Sequence, residues 1–335
     1  MKKNVYLLAL LVLVFFSCSK SDESVFEENE TVIENANLRA ADVSASFENT
    51  RFVDDRLVFD TEEAFQVAIE QFVNEDKVAE NAAILKQTFP NFTSFNEYIN
   101  GMDDEVLESI IDRQEASEIK SLFHIIPDAE DPEAMEALTI FDDDPISHVA
   151  GRNRSIQIGK TVYHYYDKKV YMIPEESYSS RAVTDKEVYA YLVNFPSEDL
   201  DFNAVVVSGC GDKEECKVNY ANKRRMVGQI RTNHWIIVHF FKINTKNQRK
   251  RFFIWWGSRT DQVRLTATVP FRYCSWPPAP DQLYAVDETK QDVKNIKKTM
   301  DWCFNFYCNW EPLPGTHSEH EVIRNGDTHY CENNL

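Results

Sequence analysis

The densest run of charged and aromatic side chains in this sequence covers residues 217–260. These 44 residues contain 11 lysines and arginines and no acid. Guanidinium groups bind carboxylates and sulfates in pairs, and flat aromatic rings stack on sugars or bases. The pattern therefore indicates a site for an anionic glycan. Its candidate ligand-binding residues are Lys223, Arg224, Arg225, Trp235, Arg249, Lys250, Arg251, Trp255 and Trp256.

Two structural interpretations compete with a glycan site. Tryptophans on strands usually fill a core, and basic residues at hairpin ends usually face water. Alternatively, the basic surface docks against the acidic half of the same molecule. Solvent exposure of Trp255 and Trp256 separates these hypotheses, because buried rings favour a structural role. Nucleic acid is not an expected partner, since the net charge of −19 opposes long-range attraction of phosphate polymers.

A second set of candidate ligands lies near the carboxyl end. If Asn325 and Gly326 form a two-residue hairpin turn, His320, His329 and Cys331 share one face. Histidine and cysteine are the usual zinc ligands. In an exported chain, however, Cys331 is expected to be oxidised. We therefore predict no metal site and no cofactor, with His320 and His329 as the residues to inspect.

Six cysteines follow Cys18, and an even number in an exported chain is typical of disulfides. We predict a bond between Cys210 and Cys216, because glycines flank the first cysteine and the residues between them can form a turn. The complete connectivity stays open. The disulfide candidates are Cys210, Cys216, Cys274, Cys303, Cys308 and Cys331.

Motifs for catalysis are absent from the sequence. It has no His-Glu-x-x-His helix, no Gly-x-Ser-x-Gly elbow and no phosphate-binding glycine loop. Carboxylate pairs of glycosidases lie far apart in sequence, so a secreted hydrolase acting on glycan or peptide is the alternative to a binding or structural protein. The acidic run at residues 142–144 lacks the alternating spacing of a calcium loop. We interpret it as a solvated face.

The amino terminus has the pattern of a bacterial lipoprotein export signal. Lys2 and Lys3 precede an apolar stretch at residues 5–16, and Ser17 and Cys18 follow it. Cys18 is then the lipidated residue, and its fatty acyl chains, such as palmitate, anchor the protein to a membrane. No later apolar stretch approaches the roughly 20 residues that cross a bilayer.

Four segments follow from composition. Residues 1–17 form the lipoprotein signal peptide, and residues 18–50 form a disordered acidic tether. The segment 51–150 is predicted to be an acidic helical region, and residues 151–335 a β-rich domain. Charge supports this division, because the chain from Ser19 to Ala150 carries a net charge of −25 and residues 151–335 carry one of +4.

Periodicity gives the expected elements. Asp60 or Thr61 can cap a helix that carries Phe65, Ile69 and Phe72 on one face. In the second half, residues 235–243 and 251–256 are predicted to form a hairpin, with the polar residues 244–247 as its turn. The predicted fold class is α+β, with a helical N-terminal region and an antiparallel β-sandwich-like C-terminal domain.

The run KRRMVGQI, which begins at Lys223, resembles a segment of uncharacterised surface lipoproteins of the phylum Bacteroidota. LVFDTEEAF at residues 57–65 and IQIGKTVYHYY at residues 156–166 extend the likeness. It implies a helical region followed by a β-rich domain, but no activity. We therefore expect a binding or structural component, lipid-anchored in the outer membrane and exposed at the cell surface, with its periplasmic face as the alternative. Its expected partners are the membrane and an anionic glycan or an envelope protein.

Overall fold

The structure is a computed structural model. Its strands, in which apolar and polar residues often alternate, form three β-sheets. It describes residues 43–113, 121–128, 131, 133–142, 144–178, 191–192, 194–199, 214–235, 237–251, 253–273, 280–304 and 310–335. The signal peptide, Cys18 and the predicted tether up to residue 42 lie outside these residues, as do Cys210, Cys274 and Cys308. All described residues belong to one compact unit, Asp42–Leu335.

The first sheet has the strand order β1-β2-β5-β6-β7-β8 and contains strands from both halves of the chain. β2 and β5 run parallel, and the other neighbouring pairs are antiparallel. The strands are β1 (Thr50–Val53), β2 (Arg56–Phe59), β5 (Ser155–Ile158), β6 (Thr161–Tyr166), β7 (Lys169–Pro174) and β8 (Ser197–Asp199).

The second sheet has the order β3-β4-β12-β11-β10-β9, and β15 also pairs with β11. β4 and β12 run parallel. The strands are β3 (Phe123–Pro127), β4 (Met135–Thr139), β9 (Glu214–Ala221), β10 (Arg224–His234), β11 (His239–Arg251), β12 (Ile254–Gly257) and β15 (Asn295–Cys303).

The third sheet has the order β14-β13-β17-β18, and β16 also pairs with β13. It packs against the second sheet. Alternate residues of β13, such as Val263 and Leu265, meet Ile230 and Phe241 of the second sheet in one apolar core. The strands are β13 (Thr260–Tyr273), β14 (Gln282–Val293), β16 (Trp310–Pro312), β17 (His317–Arg324) and β18 (Asp327–Asn334).

Short helices occupy parts of the acidic segment. Thr61 caps the first of them by accepting a 3.2 Å hydrogen bond from the backbone of Ala64, and Phe65, Ile69 and Phe72 of that helix are buried. The helix predicted there is confirmed. None of the described helices is long and apolar enough to cross a membrane. The helices are α1 (Glu62–Val73), α2 (Val78–Thr88), α3 (Phe95–Asn100), α4 (Asp104–Arg113) and α5 (Ile146–Val149).

The predicted fold class is wrong. Strands account for 54% of the structure and helices for 22%, and the described residues contain no large helical N-terminal region. The acidic segment contributes β1 to β4 as well as its helices, and two of these strands, β2 and β4, pair with β5 and β12 from the second half. Strands of four or five residues give too few alternations to stand out beside longer helical patterns.

Candidate functional site

The tryptophans of the predicted glycan site are buried. Trp235 is completely enclosed, and Trp255 and Trp256 are only 7% and 3% exposed. The guanidinium carbon of Arg225 lies 4.4 Å from the ring centre of Trp255, and the Lys250 amine lies 5.5 Å from it. The protein's own cations therefore occupy the ring that a sugar was expected to contact. None of the three tryptophans presents a stacking face to solvent.

Several predicted basic residues bind carboxylates of the acidic segment. Arg225 donates to Asp128 and lies 3.6 Å from a carboxylate oxygen of Glu136. The Lys250 amine donates to Asp131 at 2.6 Å. This arrangement confirms the interpretation in which the basic strands dock against the acidic half of the molecule. Of the other predicted residues, Arg224, Arg249 and Arg251 are half-buried and Lys223 is exposed.

The acidic run at residues 142–144 was expected to be a solvated face, and that interpretation is wrong for Asp142 and Asp144. Both are buried. Asp142 accepts hydrogen bonds from Arg231, from Lys242 at 2.6 Å and from Lys246 at 3.1 Å. The partners of Asp144 are Lys242 at 2.8 Å, Asn233 at 2.6 Å, Trp235 at 2.7 Å and Lys297 at 3.3 Å.

Electrostatics keeps these two carboxylates ionised. Burial alone raises the pKa of Asp142, but the opposing charges of Arg231, Lys242 and Lys246 outweigh it and hold the pKa well below its usual range. Burial lowers the pKa of Lys242 to about 8 even though both aspartates oppose that shift. Two carboxylates thus face four cations, Arg231, Lys242, Lys246 and Lys297.

Lys297 connects the buried cluster with a cleft, which we call the Glu75 cleft. The cleft consists of two adjoining cavities of about 490 and 290 Å³, which share the lining residues Glu75, Val78, Asn96 and His148. Helical segments supply one side and β14 and β15 supply the other. Cavities of this size are typical of small-molecule sites.

Glu75 is the most perturbed acid of the cleft. It begins a single turn of 3₁₀ helix between α1 and α2, and Asn74 caps that turn through a 3.2 Å bond to the Asp76 amide. One carboxyl oxygen, Oε2, lies 3.7 Å from the Lys298 amine. The other oxygen, Oε1, is buried and has no hydrogen-bond partner among the described residues. Burial raises the pKa of Glu75, and this effect exceeds the opposing charges of Lys297, Lys298 and Lys290.

The strand side of the cleft carries polar groups at alternate positions. Asn295, Lys297 and Thr299 of β15 line the same cavity, as expected for side chains two residues apart on a strand. The Thr299 hydroxyl is buried and, within the described part of the chain, accepts and donates no hydrogen bond. Lys290 of β14 also lines this cavity and is 3.3 Å from Glu288.

The remaining wall is largely apolar. The ring of His148 stacks on that of Phe72, with centroids 4.9 Å apart and planes within 4°. Burial, together with the charge of Lys297, lowers the pKa of His148 to about 3, so this ring is neutral near pH 7. Val78, Ala79, Ala82, Leu85 and Phe92 line the larger cavity. The cleft therefore offers an apolar wall, two oxygens that lack partners and nearby cations.

Sequence reasoning missed this cleft because its residues come from seven separate elements and form no local motif. The one available signal was the alternation of Asn295, Lys297 and Thr299, which predicts a polar strand face. Nothing in the sequence connects that face with Glu75, more than 200 residues earlier. Only the packing of α1 to α3 beside β15 brings them together.

The carboxyl-terminal hairpin has the predicted register, with Arg324 opposite Asp327 and His320 opposite Cys331. Its candidate ligands are engaged in other contacts. The two ring nitrogens of His320 lie 2.8 Å from the Thr245 hydroxyl and 3.0 Å from the Ser318 hydroxyl. His329 stacks on Tyr220. No group of three or more potential metal ligands occurs among the described residues.

Cys331 forms a disulfide with Cys216, across 115 positions of sequence. The predicted bond between Cys210 and Cys216 is therefore wrong. The prediction paired Cys210 with Cys216 because they are close in sequence. In the structure, the second and third sheets pack so that β9, which carries Cys216, lies beside β18, which carries Cys331. Cys303 is also disulfide-bonded.

Comparisons with known proteins add little. No protein-family model matches the chain, and no curated protein matches it. Among solved structures, the chain is similar to a crystal structure of a DUF4848 family protein from Bacteroides thetaiotaomicron. The identity is 11%, the match covers 84% of this chain and 98% of the other, and the TM-score is 0.23. A likeness at that TM-score carries no argument about fold or function.

Proposed function

We propose that this chain is a binding component of the cell envelope that takes a small acidic saccharide in the Glu75 cleft. One observation carries the proposal. The buried Glu75 Oε1 and Thr299 Oγ1 lack hydrogen-bond partners among the described residues, and the residues that carry them line a cavity that Lys290 and Lys297 also line. Buried polar atoms without partners are costly, so a site that leaves two of them in a cavity is suited to a polar ligand.

The chemistry of each wall selects the ligand class. Lys290 and Lys297, which line the cleft, favour an anionic group. The Glu75 carboxyl accepts a hydrogen bond from a hydroxyl when it is ionised and donates one to a carboxylate when it is protonated. The apolar side, which includes Val78, suits the C–H face of a sugar ring. A uronic acid combines all three features in one molecule.

The experiment is calorimetric titration of the purified protein with glucuronic acid and, as the uncharged counterpart, glucose. We expect glucuronic acid to bind at least tenfold more tightly. Thr299→Val should weaken that binding about three- to tenfold, because one hydrogen bond is worth about 0.5–1.5 kcal/mol. It should not reduce stability, since the hydroxyl that is removed has no partner among the described residues. Thr328→Val, at an exposed position of β18, is the matched control.

Equal affinity for the two sugars, or equal effects of the two threonine substitutions, would reject the proposal. The same samples address the hydrolase alternative, because Glu75 has the raised pKa of a general acid. A glucuronide incubated with the protein should remain intact if the cleft only binds. Release of its aglycone, lost in Glu75→Gln, would assign catalysis to the cleft instead.

The envelope location rests on the export signal that ends at Cys18. Lipidation there would anchor the protein in the outer membrane by its acyl chains, and the part of the predicted tether that precedes residue 43 would hold the folded part at the cell surface. Metabolic labelling with a clickable fatty acid should mark the native chain and not the Cys18→Ala variant. Protease treatment of intact cells then distinguishes surface exposure from a periplasmic orientation. Labelling of both forms, or of neither, would contradict the lipid anchor.

A further inference from the structure

A second cleft lies where two hairpins meet, and we call it the Phe253 cleft. It has a volume of about 520 Å³ and opens to solvent. Three of the residues predicted for the anionic glycan site, Lys223, Lys250 and Trp255, line it together. The other residues on which the argument depends are Asn219, Asn222 and Phe253.

Phe253 is the aromatic ring that the sequence analysis overlooked. It is 60% exposed, whereas the three predicted tryptophans are buried. Its backbone is held in place, because its carbonyl oxygen accepts a 2.7 Å hydrogen bond from the Met135 amide. Trp255, two residues later, pairs with Lys250 in the strand register and forms the floor of the cleft. Phe253 lies in the turn between β11 and β12, and a ring on a backbone that is held in this way loses little conformational entropy when a ligand stacks on it.

Hydrogen-bonding groups surround this ring. Asn219 and Asn222 are exposed amides in and beside the turn that connects β9 and β10, and Lys223 follows them with φ of 62°. A 2.8 Å hydrogen bond from the Lys250 amide to the Lys223 carbonyl joins this hairpin to β11. The positions of the amides and of the Phe253 ring are therefore set by the same paired backbone.

Charge in this cleft is close to balanced. Lys250 donates to Asp131, and Glu133 lines the cleft together with Lys223. This balance differs from that of the Glu75 cleft, and it removes the electrostatic reason for selecting an anion. A single exposed ring surrounded by amides is also unlike the broad apolar centre of a protein interface.

We propose that the Phe253 cleft is a second carbohydrate site, which binds a neutral sugar of a polysaccharide by stacking its C–H face on Phe253. Asn219 and Asn222 bind the hydroxyls of that sugar. The site is independent of the Glu75 cleft, and it replaces the anionic-glycan hypothesis that the basic and aromatic residues suggested.

The test is a glycan array of neutral oligosaccharides with the purified protein, followed by calorimetry on each sugar that binds. Phe253→Leu keeps the apolar character and removes the ring face, so we expect affinity to fall at least tenfold. Phe253→Trp should retain binding. Leu283→Ala changes another highly exposed apolar residue, on β14, and should have no effect.

Three results would overturn the proposal: no neutral sugar binds, Phe253→Leu binds as tightly as the wild type, or Leu283→Ala weakens binding equally. Thr299→Val should leave neutral-sugar binding intact. Loss of glucuronic acid binding and loss of neutral-sugar binding are therefore separate outcomes, and either site can fail without the other.

Discussion

The half-buried carboxyl of Glu75 determines how the proposed ligand binds. An anionic ligand placed near a carboxyl whose pKa is already raised will raise that pKa further. Binding must then be coupled to uptake of a proton by Glu75. The ligand carboxylate itself stays ionised above about pH 4, so the pH dependence belongs to the protein.

We therefore predict that affinity for glucuronic acid increases as the pH falls from 7 to 5. Titrations in buffers of different ionisation enthalpy should reveal proton uptake. Glu75→Gln imitates the protonated carboxyl, so its affinity should match the wild type at low pH and should vary little with pH. Glu70→Gln, at an exposed position of α1, is the control and should keep the wild-type profile. An unchanged profile in Glu75→Gln would contradict this coupling.

Gly228 shows how closely the second and third sheets approach each other. A Cβ added there would lie 2.1 Å from a ring carbon of His320, which is held by hydrogen bonds on both sides. We predict that Gly228→Ala destabilises the protein by about 1–3 kcal/mol or more, measured by urea unfolding. Gly257→Ala is the matched control, because its nearest neighbour would be 3.8 Å away. Equal stability of the two variants would show that the sheets separate easily.

At the scale of elements, β11 explains the largest error in the strand prediction. Residues 244–247 are polar and were predicted to be a turn, yet β11 continues through them. Each of three side chains has a buried partner: Thr245 contacts His320, Lys246 contacts Asp142, and Asn247 donates to the Ser258 carbonyl at 2.7 Å. His320 and Asp142 lie 75 and 104 positions away from their partners, so local polarity could not identify this segment as a buried strand.

Elements whose structure is determined by residues close together in sequence were predictable. α1 follows from its cap and its apolar face, and the β17–β18 hairpin follows from Asn325 and Gly326, which both have positive φ as its turn requires. The Glu75 cleft is not determined by neighbouring residues, because it forms only when elements far apart in sequence, such as α2 and β15, pack together. Sequence therefore predicted individual elements and the internal docking of opposite charges, but not the cavity between them.

The disulfide between Cys216 and Cys331 connects β9 with β18 and so joins two sheets. Closing a loop of this length restricts the unfolded chain, which predicts a stabilisation of about 3–5 kcal/mol. Replacing both cysteines by alanine should lower the free energy of unfolding by that amount, measured in urea. A double variant as stable as the wild type would mean that sheet packing alone fixes this contact.

For the whole molecule, the buried charge cluster is the main link between its acidic and basic halves. Asp144 connects the segment before α5 with β10, β11 and β15. We predict that Asp144→Asn destabilises the protein by about 3–5 kcal/mol, since removing one partner leaves buried charges uncompensated. Asp287→Asn, which alters an exposed pair with Arg264, should leave the unfolding midpoint unchanged. Similar losses in both variants would contradict a special role for the buried cluster.

Lys297 joins this cluster to the Glu75 cleft, so the position of a bound ligand is the most direct test of the proposed function. A crystal structure with glucuronic acid should place the sugar in the cleft. Its carboxylate is predicted within about 4 Å of the Lys290 or Lys297 amine. One of its hydroxyls should be about 2.5–3.0 Å from Glu75 Oε1. An empty cleft at saturating sugar, or glucuronic acid bound elsewhere on the molecule, would contradict the account.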